Sequence, residues 1–239
     1  MNQILKIVTI LIFSLMFVAC VPSDDPVWYF FDEPAIITYD GSSVVLNTSL
    51  GPYPAPELDG KGLAEGQCLI SDFILDYAFS PLIASAITYF QVNNSSVRIR
   101  EGAMTDDFTD SIASAKISPN YVAATLFFSF ETHTPNNDAK YLYELVCNTD
   151  SITIGKNGKP VYSMYFRSKN AANGAVPIEK EKKKYYYFYA FDMGDFARTY
   201  QEDSLYINFY YYNKTKKGEE IYTALGDNPK RFKFPVPAQ

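Results

Sequence analysis

YVAATLFFSFE, residues 121–131, places Val122, Ala124, Leu126, Phe128 and Phe130 at every second position, opposite Thr125, Ser129 and Glu131. A period of two marks an extended chain with one face covered, so the stretch predicts a half-buried antiparallel strand. Comparable runs recur at Tyr141 to Cys147, Val161 to Ser168, Tyr185 to Asp192 and Leu205 to Tyr212, with Arg231 to Phe234 near the end. Turn signals stand between them at Asn136-Asn137-Asp138, Asn157-Gly158 and Lys216-Lys217-Gly218, and no convincing helix intervenes. Strands of this kind over 116–239 predict an antiparallel β-sandwich.

Toward the N-terminus the strands are shorter. Val27 to Phe31 and Ala35 to Tyr39 flank Asp32-Glu33-Pro34, and Asp40-Gly41 makes a hairpin turn into Val44-Val45-Leu46. Gly51-Pro52-Tyr53-Pro54-Ala55-Pro56 reads as a loop, because proline lacks the donor a central ladder requires. Cys68 to Tyr77 sets Leu69, Phe73, Leu75 and Tyr77 on one face and Asp72 and Asp76 on the other. Ile87 to Val92 and Val97 to Arg100 lie either side of Asn93-Asn94-Ser95-Ser96, after a faint helical signal at Pro81 to Ser85. Glu101 to Ser118 is polar and reads as a junction. The chain is therefore predicted to be all-β, with a small closed or nearly closed barrel over 27–115 ahead of the sandwich.

Composition agrees with that class and narrows the partners. Twenty Tyr and eighteen Phe favour strands over helices. A formal charge of −6, more negative once the segment holding Lys6 is removed, gains no counterion-release energy from phosphates, so no nucleic acid is expected as a partner.

The first residues supply an address. Lys6 is the only charge in the first twenty, and the apolar run Ile7 to Ala19 is shorter than the ~20 residues of a spanning helix, as in a signal peptide over 1–19. Phe17-Val18-Ala19-Cys20 resembles the bacterial lipobox, with Phe17 where Leu is usual. That resemblance implies lipidation of Cys20 and attachment to a membrane through the anchor. Ser23-Asp24-Asp25 resembles the acidic signal that exports lipoproteins to the outer face of the outer membrane in Bacteroidota. Residues 20–26 form a short tether, reaching about 25 Å at ~3.3–3.6 Å per residue.

Taken together, this leader, the aromatic Val27-Trp28-Tyr29-Phe30-Phe31, Gly66-Gln67-Cys68-Leu69-Ile70, Leu126 to Phe130, Val161 to Ser168 and Tyr187 to Met193 resemble the NigD-like lipoproteins. The resemblance implies an N-terminal OB-like barrel followed by a β-sandwich, and an association with bacteriocin-linked gene clusters. It implies no activity.

No catalytic constellation stands out. His133 is the only histidine, reads as an exposed loop residue in Glu131-Thr132-His133-Thr134-Pro135, and has no GxSxG elbow beside it. One His and two cysteines beyond the leader are too few for zinc, and Asp106, Asp107 and Asp110 lack EF-hand spacing. No metal or cofactor is expected. Asp72, Asp76 and those three aspartates read as solvated carboxylates rather than a glycosidase pair. Strand parity argues against a Cys68–Cys147 bridge and for two buried thiols.

Binding is better signalled. Leu205, Ile207, Phe209 and Tyr211 form one face of their strand, leaving Tyr206, Asn208, Tyr210 and Tyr212 as a solvent-facing aromatic row on which a sugar ring could stack or a protein dock. Tyr185 to Tyr189 would extend it, and Glu179 to Lys184 reads as a solvated turn. Asp110-Ser111-Ile112, Asp150-Ser151-Ile152 and Asp203-Ser204-Leu205 resemble an O-glycosylation motif of the same bacterial group, with Ser111 and Ser151 the better placed. Two roles follow: a surface module that binds a protein partner, in bacteriocin-related immunity, or a glycan-binding accessory lipoprotein of nutrient uptake.

Overall fold

The computed structural model describes residues 27–76, 79–102, 111–132, 141–170, 184–200, 204–214 and 220–233. The fold is all-β: sixteen strands among the described residues form three sheets.

The first sheet holds β1 (Val27–Asp40), β2 (Ser43–Thr48), β3 (Gly51–Pro54), β4 (Cys68–Asp76) and β5 (Ala84–Val92), in the order β3-β2-β1-β4-β5 with antiparallel neighbours. Asp32-Glu33-Pro34, expected to separate two strands, is instead a bulge inside one: the register shifts between Phe30 and Glu33, and Asp32 has φ 51°. The Asp32 amide donates to the Asp72 carboxylate at 2.8 Å, so a side chain on β4 replaces the ladder bond that the bulge removes. The proline run also differs from the expected loop. Pro52 and Pro54 lie on β3, an edge strand, where a missing donor is tolerated. At Pro81 to Ser85 no helix forms, and Ala84 pairs with Leu75 as β5 begins.

The sheet is not closed by a ladder: β3 and β5 are its two edges. The predicted barrel is therefore open, and a carboxylate spans the gap. The 3-10 turn Pro56–Leu58 follows β3, and Glu57 accepts from the amides of Ala86 at 3.0 Å and Ile87 at 3.2 Å on β5. The enclosed core is mostly aliphatic, built from Ile37, Leu46, Leu58, Leu69, Leu75 and Phe73.

The remaining strands make the sandwich. One sheet has the order β6 (Asn94–Ser96), β13 (Tyr185–Asp192), β9 (Thr125–Thr132), β8 (Ser114–Val122). The other runs β15 (Glu220–Ala224), β14 (Leu205–Lys214), β12 (Pro160–Asn170), β10 (Tyr141–Asn148), β7 (Arg98–Arg100), with β11 (Thr153–Ile154) on β12 and β16 (Lys230–Phe232) on β14. The pairing is mixed rather than wholly antiparallel, since β6–β13, β7–β10 and β12–β14 are parallel. Asn94 to Ser96, read as a turn, is a strand, and Val97 to Arg100, read as part of the barrel, contributes β7 to the sandwich.

Residues 121–131 are not one strand. Tyr121 and Val122 end β8, Ala123 turns with φ 51°, and β9 begins at Thr125. Nor is β9 half-buried. Leu126, Phe128 and Phe130 enter the sandwich core, while Phe127 on the other face packs with Val122 and Ala190 against Cys68, Ile70 and Val92 of the first sheet. Cys68 and Ile70 are thus covered by the sandwich although they share a strand face with Asp72.

The sandwich core is aromatic. Phe128 meets Phe166, Phe191 and Phe209 at centroid distances of 5.2, 5.4 and 5.7 Å, and the steep ring angles with Phe191 and Phe209 are favourable edge contacts. A short helix that periodicity missed, α1 (Gly194–Tyr200), closes one end: Asp192 accepts from the Gly194 amide at 2.7 Å, and Phe196 and Tyr200 pack on Tyr162. Away from this core, Glu144 and Arg167 form a buried cross-strand ion pair at 3.2 Å, and Arg98 reaches the other Glu144 oxygen at 2.7 Å.

Candidate functional site

Two strands that belong to different sheets separate to form a hollow. After β5 the chain runs through Asn93 into β6, which lies parallel to β13 with Asn94 opposite Ala190. The Ala190 amide donates to the Asn93 carbonyl at 2.9 Å. Before Asn93, β5 pairs with β4 instead, so the chains fork: β6 covers only Ala190–Asp192 of β13. A hollow of about 320 Å³ lies in the fork, lined by Phe90, Gln91 and Asn93 on one side and Tyr186, Tyr187 and Phe188 on the other.

It adjoins a larger cleft of about 770 Å³, bordered by Gln67, Gln91, Asn93, Asn94, Tyr141 and Tyr189. Side-chain amides and phenol rings dominate, and among the described residues Glu65 is the only charged one on either wall. Phe90, Leu142 and Tyr186 stand exposed on the rim. Phe90 and Phe188 touch across the fork at 5.1 Å, and Tyr186 packs edge-on to Phe188 at the same distance. The arrangement offers hydrogen-bonding amides between apolar rings, suited to a neutral polar ligand.

The thiol beside this cleft is not a nucleophile at neutral pH. Burial pushes Cys68 up to about 11, opposed by the Asn94 amide, which donates to its sulfur at 3.4 Å, and reinforced by the charge of Asp192. Cys147, inside the sandwich core, is pushed up to about 12 by burial. Both cysteines are free and buried, as strand parity implied.

The tyrosine row is more enclosed than its sequence suggests. Tyr206, Asn208 and Tyr210 are half-buried on the outer face of β14, whereas Tyr212 is only 4% exposed. The Tyr212 ring meets Tyr222 of β15 at 5.6 Å, and the segment entering β8 runs alongside, where the Ile112 amide donates to the Tyr212 carbonyl at 3.0 Å. The other rings are also covered. Tyr210 stacks on Tyr165 at 5.2 Å, and the Arg231 guanidinium lies 6.0 Å over Tyr206. Asn208 and Tyr210 line a small hollow of about 260 Å³ beside the β15–β16 turn. Ser111 donates to Asn213 at 2.9 Å and Ser151 accepts from the Tyr165 hydroxyl at 3.4 Å, so both candidate glycosylation hydroxyls are engaged. Cys20, Ser23, Asp24, Asp25, Asp106, Asp107, Asp110 and His133 lie outside the described residues. Among the described residues there is no metal-ligand cluster, and no helix long and apolar enough to cross a membrane.

No family model matches the chain, and no curated protein does. Solved structures do, and together they define a class of two-part β proteins. A "putative TOXIN related protein" from Parabacteroides distasonis is 16% identical with TM-score 0.57, the match covering 89% of this chain and 95% of that one. A "putative lipoprotein" from Bacteroides fragilis is 14% identical with TM-score 0.57, covering 89% and 99%. Within that class stands a NigD-like immunity protein from Bacteroides caccae, 11% identical with TM-score 0.51, covering 83% and 92%. The chain therefore shares its fold with these structures, a NigD-like immunity protein among them, in line with the resemblance of its motifs.

Proposed function

We propose that this protein is a non-enzymatic lipoprotein, held by Cys20 on the exterior of the outer membrane, that binds an extended segment of a partner protein in a bacteriocin-related immunity role. The observation that carries the reading is the fork between β5 and β13. β5 is the last strand of its sheet, and β13 has β6 beside only its final residues. An extended segment entering the fork would align with these strand edges, its backbone supplying affinity and its side chains meeting Phe90, Tyr186 and Phe188. The neighbours described as an immunity protein, a lipoprotein and a toxin-related protein support the same reading.

A glycan is the second reading, favoured by the amides of Gln67, Gln91, Asn93 and Asn94 beside Tyr141 and Tyr189. One experiment separates the two. A photo-crosslinking side chain placed at Gln91 or Tyr186 in the full-length protein on living cells is expected to capture a peptide, identified by mass spectrometry. Capture of saccharide at both positions would replace the first reading with the second. Equal capture from a control position at Lys156 would show that the fork is not a site.

A further inference from the structure

Beyond the fork, the exposed large apolar side chains are concentrated at the opposite end of the first sheet. Val27, Trp28, Tyr29 and Phe31 at the start of β1 are exposed, Trp28 by 53% and Phe31 by 72%, and Phe79 just beyond β4 is exposed too. Val27 pairs with Asp76, whose carbonyl accepts from the Phe79 amide at 3.3 Å, so residues some fifty apart in sequence meet at one end of the sheet. Of the five aromatic or aliphatic residues from Val27 to Phe31, Phe30 is drawn into the core, stacking on Phe73 at 5.0 Å, and Trp28 lies on the same side of the strand with its ring 6.5 Å from Phe30 yet stays exposed. Exposed rings thus stand on both faces of one strand end, Trp28 on one and Tyr29 on the other, and such a cluster at the tip of a sheet marks a contact surface.

The chain itself indicates what covers it. Residues 21–26 are all that separate Cys20 from this patch. At ~3.6 Å per residue the strand start can never be more than about 25 Å from the membrane that holds the anchor. Tryptophan and tyrosine favour the boundary between headgroups and acyl chains, where the ring is in an apolar layer and its polar atom stays wet. We propose that Val27, Trp28, Tyr29, Phe31 and Phe79 lie in the interfacial layer of the leaflet carrying Cys20, as a second point of attachment. This rests on the lipid-anchor reading above. Asp32, Asp72 and Asp76 border the patch, so its attachment draws on burial of the rings and not on attraction to anionic headgroups. The contact sets orientation: Cys68 and the fork lie at the far end of β4, roughly 25 Å higher at ~3.3 Å per residue.

Trp28 is the only tryptophan, so the patch carries its own reporter. The full-length protein, purified with its lipid and reconstituted in phosphatidylcholine vesicles, is expected to show a Trp28 emission shift to shorter wavelength. Quenching by brominated phosphatidylcholine should appear, and quenching by iodide should be lost. Tyr29→Ser with Phe31→Ser, which keeps the reporter, should reverse all three. Emission that is unmoved and open to iodide, in protein whose intact mass includes the acyl chains, overturns the patch alone. A mass without acyl chains overturns the anchor and the patch with it. Shifted emission that ignores brominated lipid, with a crosslinked species of twice the mass, assigns the patch to a second copy and also overturns the proposal.

Discussion

The two parts of the molecule solve the same problem, covering a sheet, with different materials. The N-terminal sheet encloses an aliphatic core and leaves its edges unpaired with each other, relying on Glu57 to bind β5. The sandwich fills its interior with phenyl rings and adds a buried ion pair outside that core. Rings bury much area per residue and lock one another by edge contacts, so the sandwich needs no clasp. A small aliphatic core leaves more of the work to single polar contacts at its margin.

Substitutions should expose this difference. Phe128→Ala removes a ring that meets three others and is expected to cost about 3–5 kcal/mol, read by denaturant unfolding; a loss below about 1 kcal/mol would show that the ring cluster is loosely packed. Glu144→Ala leaves the Arg167 guanidinium buried without this carboxylate and should cost a similar ~3–5 kcal/mol. If the loss is small, Arg167 is held by other groups. A pH series gives a smaller effect. Both thiols titrate near 9.0 ordinarily and at about 11 and about 12 in the fold. Because folding raises these values, their stabilisation is complete below pH 9 and is lost as pH rises through 11 and 12. Cys147→Ala should flatten the upper part of that decline, and an unchanged slope would trace it to other groups. Glu57→Ala should have the smallest effect, about 1 kcal/mol, with faster amide exchange confined to β5. Protection unchanged at Ala86 and Ile87 would show that the clasp is dispensable.

Much of the fold was legible where side chains alternate without interruption, as in β10, β12, β13 and β14. The misreadings have local causes. Ala123 adopts a left-handed turn conformation that the sequence usually announces with Gly or Asn, so the β8–β9 hairpin looked like one strand. Asp32-Glu33-Pro34 carries turn residues yet only bends β1, because Asp72 receives the displaced amide. Phe127 broke the expected polar face of β9, and it was the one residue there that reported the second packing surface. The fork could not be read at all, since it joins Phe90 and Asn93 to Tyr186 and Phe188 from strands about ninety residues apart whose separation depends on sheet pairing. The tyrosine row was placed on the correct strand, but contacts from β12, β15 and Arg231, invisible in a linear pattern, cover its rings.

The long first strand has a mechanical meaning for a tethered protein. With the proposed anchor at Cys20, a pull on something bound at the far end would be opposed by a force that enters the folded chain at Val27 and runs along β1. That strand is paired antiparallel with β4 over Val27 to Phe30 and Glu33 to Ile36, either side of the bulge. A load along the strand axis shears the ladder, so its hydrogen bonds bear force together instead of parting one after another. A pull from Val27, the end nearest the proposed anchor, is the direction in which this sheet should be hardest to open.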